Sequence, residues 1–121
     1  MTYARQRAGE LGEEMAGAEL ESRGYAILAR RYRTRHGEID IVAEDGATLV
    51  FVEVRLKTSA EFGSAAESVT PAKRRRVVRM AREYLLVNAI QNRALRFDVV
   101  AVDLMDGVPR IQVFPGAFDA V

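Results

Sequence analysis

Apolar and polar positions alternate along this chain with two different periods, and the changes of period mark its elements. Small and apolar residues recur at helical spacing from Gly9 to Arg23, and Gly24 follows as a C′ residue, which predicts a first helix. Ala26 to Tyr32 reads as a strand. Two runs rich in β-branched residues follow, Gly37-Glu38-Ile39-Asp40-Ile41-Val42 and Leu49-Val50-Phe51-Val52-Glu53-Val54-Arg55, separated by Asp45-Gly46, a strong hairpin signal. Lys57 to Glu67, with Phe62-Gly63-Ser64-Ala65-Ala66 at its centre, reads as a mobile connection. Thr70-Pro71 then supplies an N-cap and a proline at the first helical position, so a second helix is predicted from there to about Ala89. Arg96 to Leu104 is a strand by its Phe97, Val99, Val100 and Val102, and Arg110 to Phe114 reads as one more. This order predicts a mixed sheet flanked by helices, an α/β fold, in one domain over 1–121 with its core at about 9–118.

The two central strands each carry a carboxylate inside an apolar run. An ionised acid is costly to desolvate unless something pairs with it. If Asp45-Gly46 forms the hairpin tip, Ile39, Ile41 and Ala43 share one apolar face with Val50, Val52 and Val54. The other face carries Glu38, Asp40 and Val42 beside Leu49, Phe51, Glu53 and Arg55. In that register Asp40 pairs with Phe51 and Glu38 with Glu53, leaving Asp40 and Glu53 as diagonal neighbours roughly 7–8 Å apart. Their side chains can converge on one divalent cation, and Arg55 lies on the same strand face. Asp, then Glu-x-basic, across a hairpin is what metal-assisted phosphodiester cleavage requires. Solvated acids on an open sheet face are the bland alternative, which Val42, Leu49 and Phe51 on the same face argue against.

Composition narrows the chemistry. The 121 residues suffice for one compact domain. With no cysteine, a disulfide framework and a thiolate metal site are both excluded. Oxygen ligands without His or Cys favour Mg²⁺ or Mn²⁺ over zinc. No stretch is apolar enough to span a bilayer and no signal-peptide core is present, so a cytoplasmic location and no membrane partner are expected. The formal net charge is only +1, but the basic residues are clustered. Arg30, Arg31, Arg33 and Arg35 crowd one predicted loop region, and Lys73 to Arg76 with Arg79 and Arg82 crowd the second helix. Such patches on a near-neutral chain suit a polyanion contacted at one place.

Several pieces occur in a fixed order: Gly12-Glu13-Glu14-Met15-Ala16, Arg23-Gly24-Tyr25, Gly37-Glu38-Ile39-Asp40, Phe51-Val52-Glu53-Val54-Arg55, Lys73, and Arg96-Phe97-Asp98-Val99-Val100. This ordered set resembles the YraN-type family of small bacterial proteins, itself similar to the restriction-endonuclease-like superfamily and its Holliday-junction resolvases. The resemblance implies an α-β-β-β-α-β nuclease core, with Asp40 and Glu53 as metal ligands and position 55 as that of the catalytic base. It also implies that Glu13 reaches the same site from the first helix. Spacing alone favours a solvated Glu13, because the Gly9, Ala16, Gly17 and Leu20 face and the Leu11, Met15 and Ala18 face compete for the core; it is the resemblance that turns Glu13 to the site.

The superfamily pattern places lysine at 55, where this chain has Arg55. Arginine stays protonated and cannot act as a base, although it can clamp a phosphate and stabilise transition-state charge. Lys57, two residues further along the same face, is the candidate to position water. On the second helix, Lys73 shares a face with Val77, Ala81 and Tyr84, opposite Arg75, Arg79 and Arg82. Lys73, Arg74 and Arg76, with Lys57, are the candidate nucleic-acid contacts. His36 reads as an exposed loop histidine, Asp98 as a structural partner, and Tyr25, Tyr32 and Tyr84 as aromatics at the edge of the core.

The leading expectation is a Mg²⁺- or Mn²⁺-dependent endonuclease whose partner is nucleic acid, DNA with non-duplex structure before RNA, with a homodimer also allowed. A non-catalytic nucleic-acid-binding or assembly module that keeps the fold is the runner-up. A protein–protein adaptor whose basic helix binds an acidic partner is the third reading.

Overall fold

A computed structural model describes residues 3–57, 68–105 and 107–120. The expected connection at 57–67 falls, apart from Lys57, outside them. Helix α1 (Tyr3–Ser22) is followed by strands β1 (Ala26–Thr34), β2 (Gly37–Asp45) and β3 (Thr48–Lys57), helix α2 (Pro71–Val87), and strands β4 (Leu95–Asp103) and β5 (Arg110–Phe118). The strands lie side by side in chain order as one sheet. β3 and β4, joined through α2, are parallel, and every other neighbouring pair is antiparallel. The result is a mixed five-stranded sheet with a helix on each face, consistent with a restriction-endonuclease-like core.

Each helix buries a different side of the sheet. Ala16 and Leu20 of α1 join Ile41, Val50, Val52 and Val100 in one core. Val77, Met80 and Tyr84 of α2 join Val42, Leu49, Phe51 and Phe97 in the other. Coverage on both faces explains why β3 reads as a nearly continuous apolar run. The competition on α1 is settled by size: Gly12, Ala16 and Gly17 let the helix approach closely, while Leu11 is left 45% exposed. A Cβ at Gly12 would already press on Leu56, 3.2 Å away, and one at Gly17 would overlap the Arg30 guanidinium. Stacked rings (Phe51 on Phe97, Phe97 on Phe118) run through the α2-side core.

The elements are longer at some ends than the sequence pattern predicts. α1 starts at Tyr3 rather than Gly9, since residues 3–8 contain no helix breaker. α2 begins as expected, with the Thr70 hydroxyl accepting from the Lys73 N–H and proline in the first turn. It stops at Val87, because Asn88 caps it and Ala89 turns left-handed at φ 52°. β1 runs on to Thr34, so Arg30, Arg31 and Arg33 stand on a strand and not in a loop.

The hairpin register also differs from the expected one. The turn is Gly46-Ala47, with Asp45 opposite Thr48 and Val42 opposite Phe51. Gly46 takes the positive φ of 60° that lets a two-residue turn close. Moving the turn by one residue moves every partner by two. From Ile41 to the turn the side chains therefore keep their faces, but Asp40 is carried from Phe51 to the level of Glu53, and Glu38 no longer pairs with Glu53. Ile39 departs from the expected apolar face: it belongs to the α2-side core while Ile41 and Ala43 belong to the α1-side core. The alternation breaks beside Arg31, which sits in β1 at φ 50°.

Candidate functional site

The acids meet where β2 parts from β3. The ladder between these strands runs to Ile41 opposite Val52. The next β3 donor, the Val54 N–H, is taken by the Asp40 side chain at 2.7 Å. That hydrogen bond fixes Asp40 beside Glu53. Glu53 is 2% exposed, in the middle of β3, and its Oε1 is buried without a hydrogen-bond partner. An ionised carboxylate oxygen left so is expensive in a protein interior; a proton shared with Asp40, to which Glu53 is hydrogen-bonded, or a cation relieves that cost.

Electrostatics at the pair follow from this burial. Desolvation, then the charge of Asp40, push the Glu53 carboxyl up from 4.5 to about 8, against the opposing pull of Lys73. Desolvation also raises Asp40, offset chiefly by the Val54 N–H and then by Lys73. Both shifts favour a proton held within the Asp40–Glu53 pair. From α2, the Lys73 Nζ stands 3.6 Å from Glu53 Oε2. Arg55 lies near enough for its charge to favour Glu53 ionisation, while its Nε donates to Ser68 Oγ at 3.1 Å, tying the exit of β3 to the approach of α2.

Glu13 faces the same region from α1. It lines a cavity of about 390 Å³ with Glu10, Glu14, Arg30, Arg31 and Asp40. Burial and the charge of Asp40 raise its carboxyl above the ordinary 4.5. Its Oε2, however, accepts from Arg31 Nε at 3.0 Å. Among the described residues, no three His, Cys, Asp or Glu side chains gather closely enough to form a metal cage. Asp40 and Glu53 fit a hard divalent cation as a two-carboxylate pair, with the orphaned oxygen of Glu53 as the open position.

The remaining candidates are placed unevenly. Lys57 ends β3 roughly 13 Å of strand beyond Glu53 and stands opposite Asp103. Arg74 turns away from the acids, its Nε donating to the Val69 carbonyl at 2.8 Å and its guanidinium lying over the Phe118 ring. Arg76 is exposed, beside the backbone of Gly37. The arginines around β1 are matched by acids: Arg30 with Glu21, Arg31 with Glu13, Arg33 with Glu38, and Arg35 with Glu83, which His36 also contacts. Sequence reasoning gave no role to Ser68 or to Arg31 as the partner of Glu13, and no motif marks either.

A second polar cluster is centred on Asp98 of β4, which pairs with Val52 of β3. Asp98 is fully buried and accepts from Arg96 Nε and Nη2, from the Tyr25 hydroxyl at 2.9 Å and from the Gly116 N–H. Arg96 also reaches Asp45. Burial and the Asp98 hydrogen bond push the Tyr25 hydroxyl up to about 12, so it stays a donor. Every group here is satisfied, so this cluster is structural, as expected for Asp98.

Comparison with known proteins places the chain. Residues 12–102 match the model of a family described as "Uncharacterised protein family UPF0102". The UPF0102 protein of Anaeromyxobacter dehalogenans is 51% identical over 95% of this chain and 86% of its own length. That of Moorella thermoacetica is 48% identical over 98% of this chain and 100% of its own. The Symbiobacterium thermophilum protein is 44% identical over 95% and 98%. The match spans most of the chain, and the chain belongs to the UPF0102 family, which is the YraN-type family.

Proposed function

We propose that this protein is a metal-dependent endonuclease that cleaves nucleic acid, DNA with non-duplex structure first. One observation carries the reading: buried Glu53 and half-buried Asp40 converge at the point where β2 leaves β3, and one Glu53 oxygen has no hydrogen-bond donor among the described residues. Burying two acids side by side costs stability, and a fold gains from it when a cation is to be held. Asp40 and Glu53 would hold Mg²⁺ or Mn²⁺, which when bound supplies Lewis-acid polarisation of the phosphate and a more acidic water.

The chain's own residues supply the rest. Asp40 is oriented by the Val54 N–H, which holds its carboxylate beside that of Glu53. Lys73, 3.6 Å from Glu53, neutralises the acid pair and presents a cation to a phosphate oxygen at the start of α2. Arg55 cannot accept a proton, so its role is to stabilise charge on the scissile phosphate.

The test is a cleavage assay on duplex, flap, junction and single-stranded substrates with Mg²⁺ and with Mn²⁺. Wild type should cut at least one class, and Asp40→Asn should cut none while keeping its fold by circular dichroism. Wild type inert on all of them, with DNA binding retained, favours the second reading, a binding module. The specific support for that reading is Arg55 in place of a lysine.

A further inference from the structure

We propose that Arg31 is a latch on the acid site: its guanidinium stands in for a cation at Glu13, and a divalent ion gains Glu13 as an additional oxygen ligand only by displacing it. This rests on the metal-site reading above. Glu13 and Asp40 line one cavity, yet Glu13 is engaged by Arg31 at 3.0 Å. Among the described residues the carboxylates of the cavity form no three-ligand cage, and Glu13 is the one held by a guanidinium.

The Arg31 backbone points the same way. At φ 50° it occupies the left-handed region, which costs a residue with a Cβ roughly 1–2 kcal/mol. Glycine would fill that position without strain. The arginine thus stands there against local preference, where β1 passes Asp40 and its alternation breaks. What it contributes there is a charge on Glu13.

The pair is also exchangeable. The Arg31 and Glu13 side chains are 47% and 26% exposed, so the contact is screened and weak, of the order that a metal ion outcompetes. A displaced guanidinium has carboxylates waiting: Glu10 and Glu14 line the same cavity. Asp40 joins the two halves of such a site, lining the cavity with Glu13 and standing beside Glu53.

The experiment is calorimetric titration of the full chain with MnCl₂ alone, on wild type, Arg31→Gly, Glu13→Gln and the double variant. Arg31→Gly removes the guanidinium and the strain together, and Arg31→Gln is a second variant that keeps much of the side-chain length. Both should bind Mn²⁺ roughly two- to fivefold more tightly than wild type, the range set by a surface ion pair. That gain should shrink with added KCl and vanish in the Glu13→Gln background. Unchanged or weaker Mn²⁺ affinity in both Arg31 variants overturns the latch and leaves the metal reading standing. A gain that persists without Glu13 also overturns it, since Arg31 would then act only as a nearby repelling charge. No Mn²⁺ binding by any variant at millimolar concentration overturns the metal reading and the latch together.

Discussion

Replacing Glu53 by glutamine should make the protein more stable at alkaline pH and leave it little changed in acid. In the folded protein burial and Asp40 hold the Glu53 proton up to about 8, against an ordinary value of 4.5. The unfolded chain therefore ionises first as pH rises. Between about 4.5 and 8 the folded state binds more protons than the unfolded state, and folding loses free energy across that window. At about 1.4 kcal/mol per pH unit the loss approaches 5 kcal/mol as an upper limit, because water entry and relaxation soften a buried charge. Glutamine keeps the shape and removes the titration. Its own burial cost is independent of pH, so it drops out of the slope. The assay is urea denaturation of wild type and Glu53→Gln from about pH 4.5 to about pH 9, which brackets the window. The stability difference should open in favour of the glutamine variant by several kcal/mol between those limits, and millimolar Mn²⁺ should narrow it by stabilising the ionised form. A difference constant within about 1 kcal/mol across the range would refute the buried-acid account, whatever the protein cleaves.

Arg55→Lys should preserve or raise cleavage by restoring a side chain that can position water, while Arg55→Ala should lower kcat on the order of 10²-fold, read in single-turnover assays. Lys73→Ala should weaken DNA binding across sequences and reduce the slope of log affinity against log salt by about 1; an unchanged slope would remove Lys73 from the phosphate contacts. Tyr25→Phe, which strips a donor from fully buried Asp98, should cost about 1–3 kcal/mol in denaturation without changing Mn²⁺ binding.

Local chemistry alone determined much of this protein. The Thr70-Pro71 start of α2 is legible because an N-cap and a φ-locked residue act within one turn. The apolar runs of β3 and β4 are legible because strands covered on both faces must be apolar throughout. Asp40 and Glu53 stand out for the complementary reason, that charge inside such a run is costly. Face assignment from Ile41 through Val52 survives a wrong turn, since a two-residue shift of register preserves the pleat, while Ile39 changes face where the alternation breaks. Partners do not survive it. Only the folded hairpin, turning at Gly46-Ala47 and not at Asp45-Gly46, brings Asp40 level with Glu53 and hands it the Val54 N–H. The same holds for charges distant in sequence. Arg30, Arg31, Arg33 and Arg35 read as a free basic patch, and tertiary packing gives each an acid, from Glu13 and Glu21 of α1 to Glu83 of α2. Lys73 and Lys57 are both lysines near the site by sequence logic. The crossover that sets β4 parallel to β3 brings the N-terminal end of α2, and so Lys73, onto Glu53, while strand length carries Lys57 away. Periodicity is a property of neighbours along the chain; the pairing of one charge with another is decided by loop closure and register.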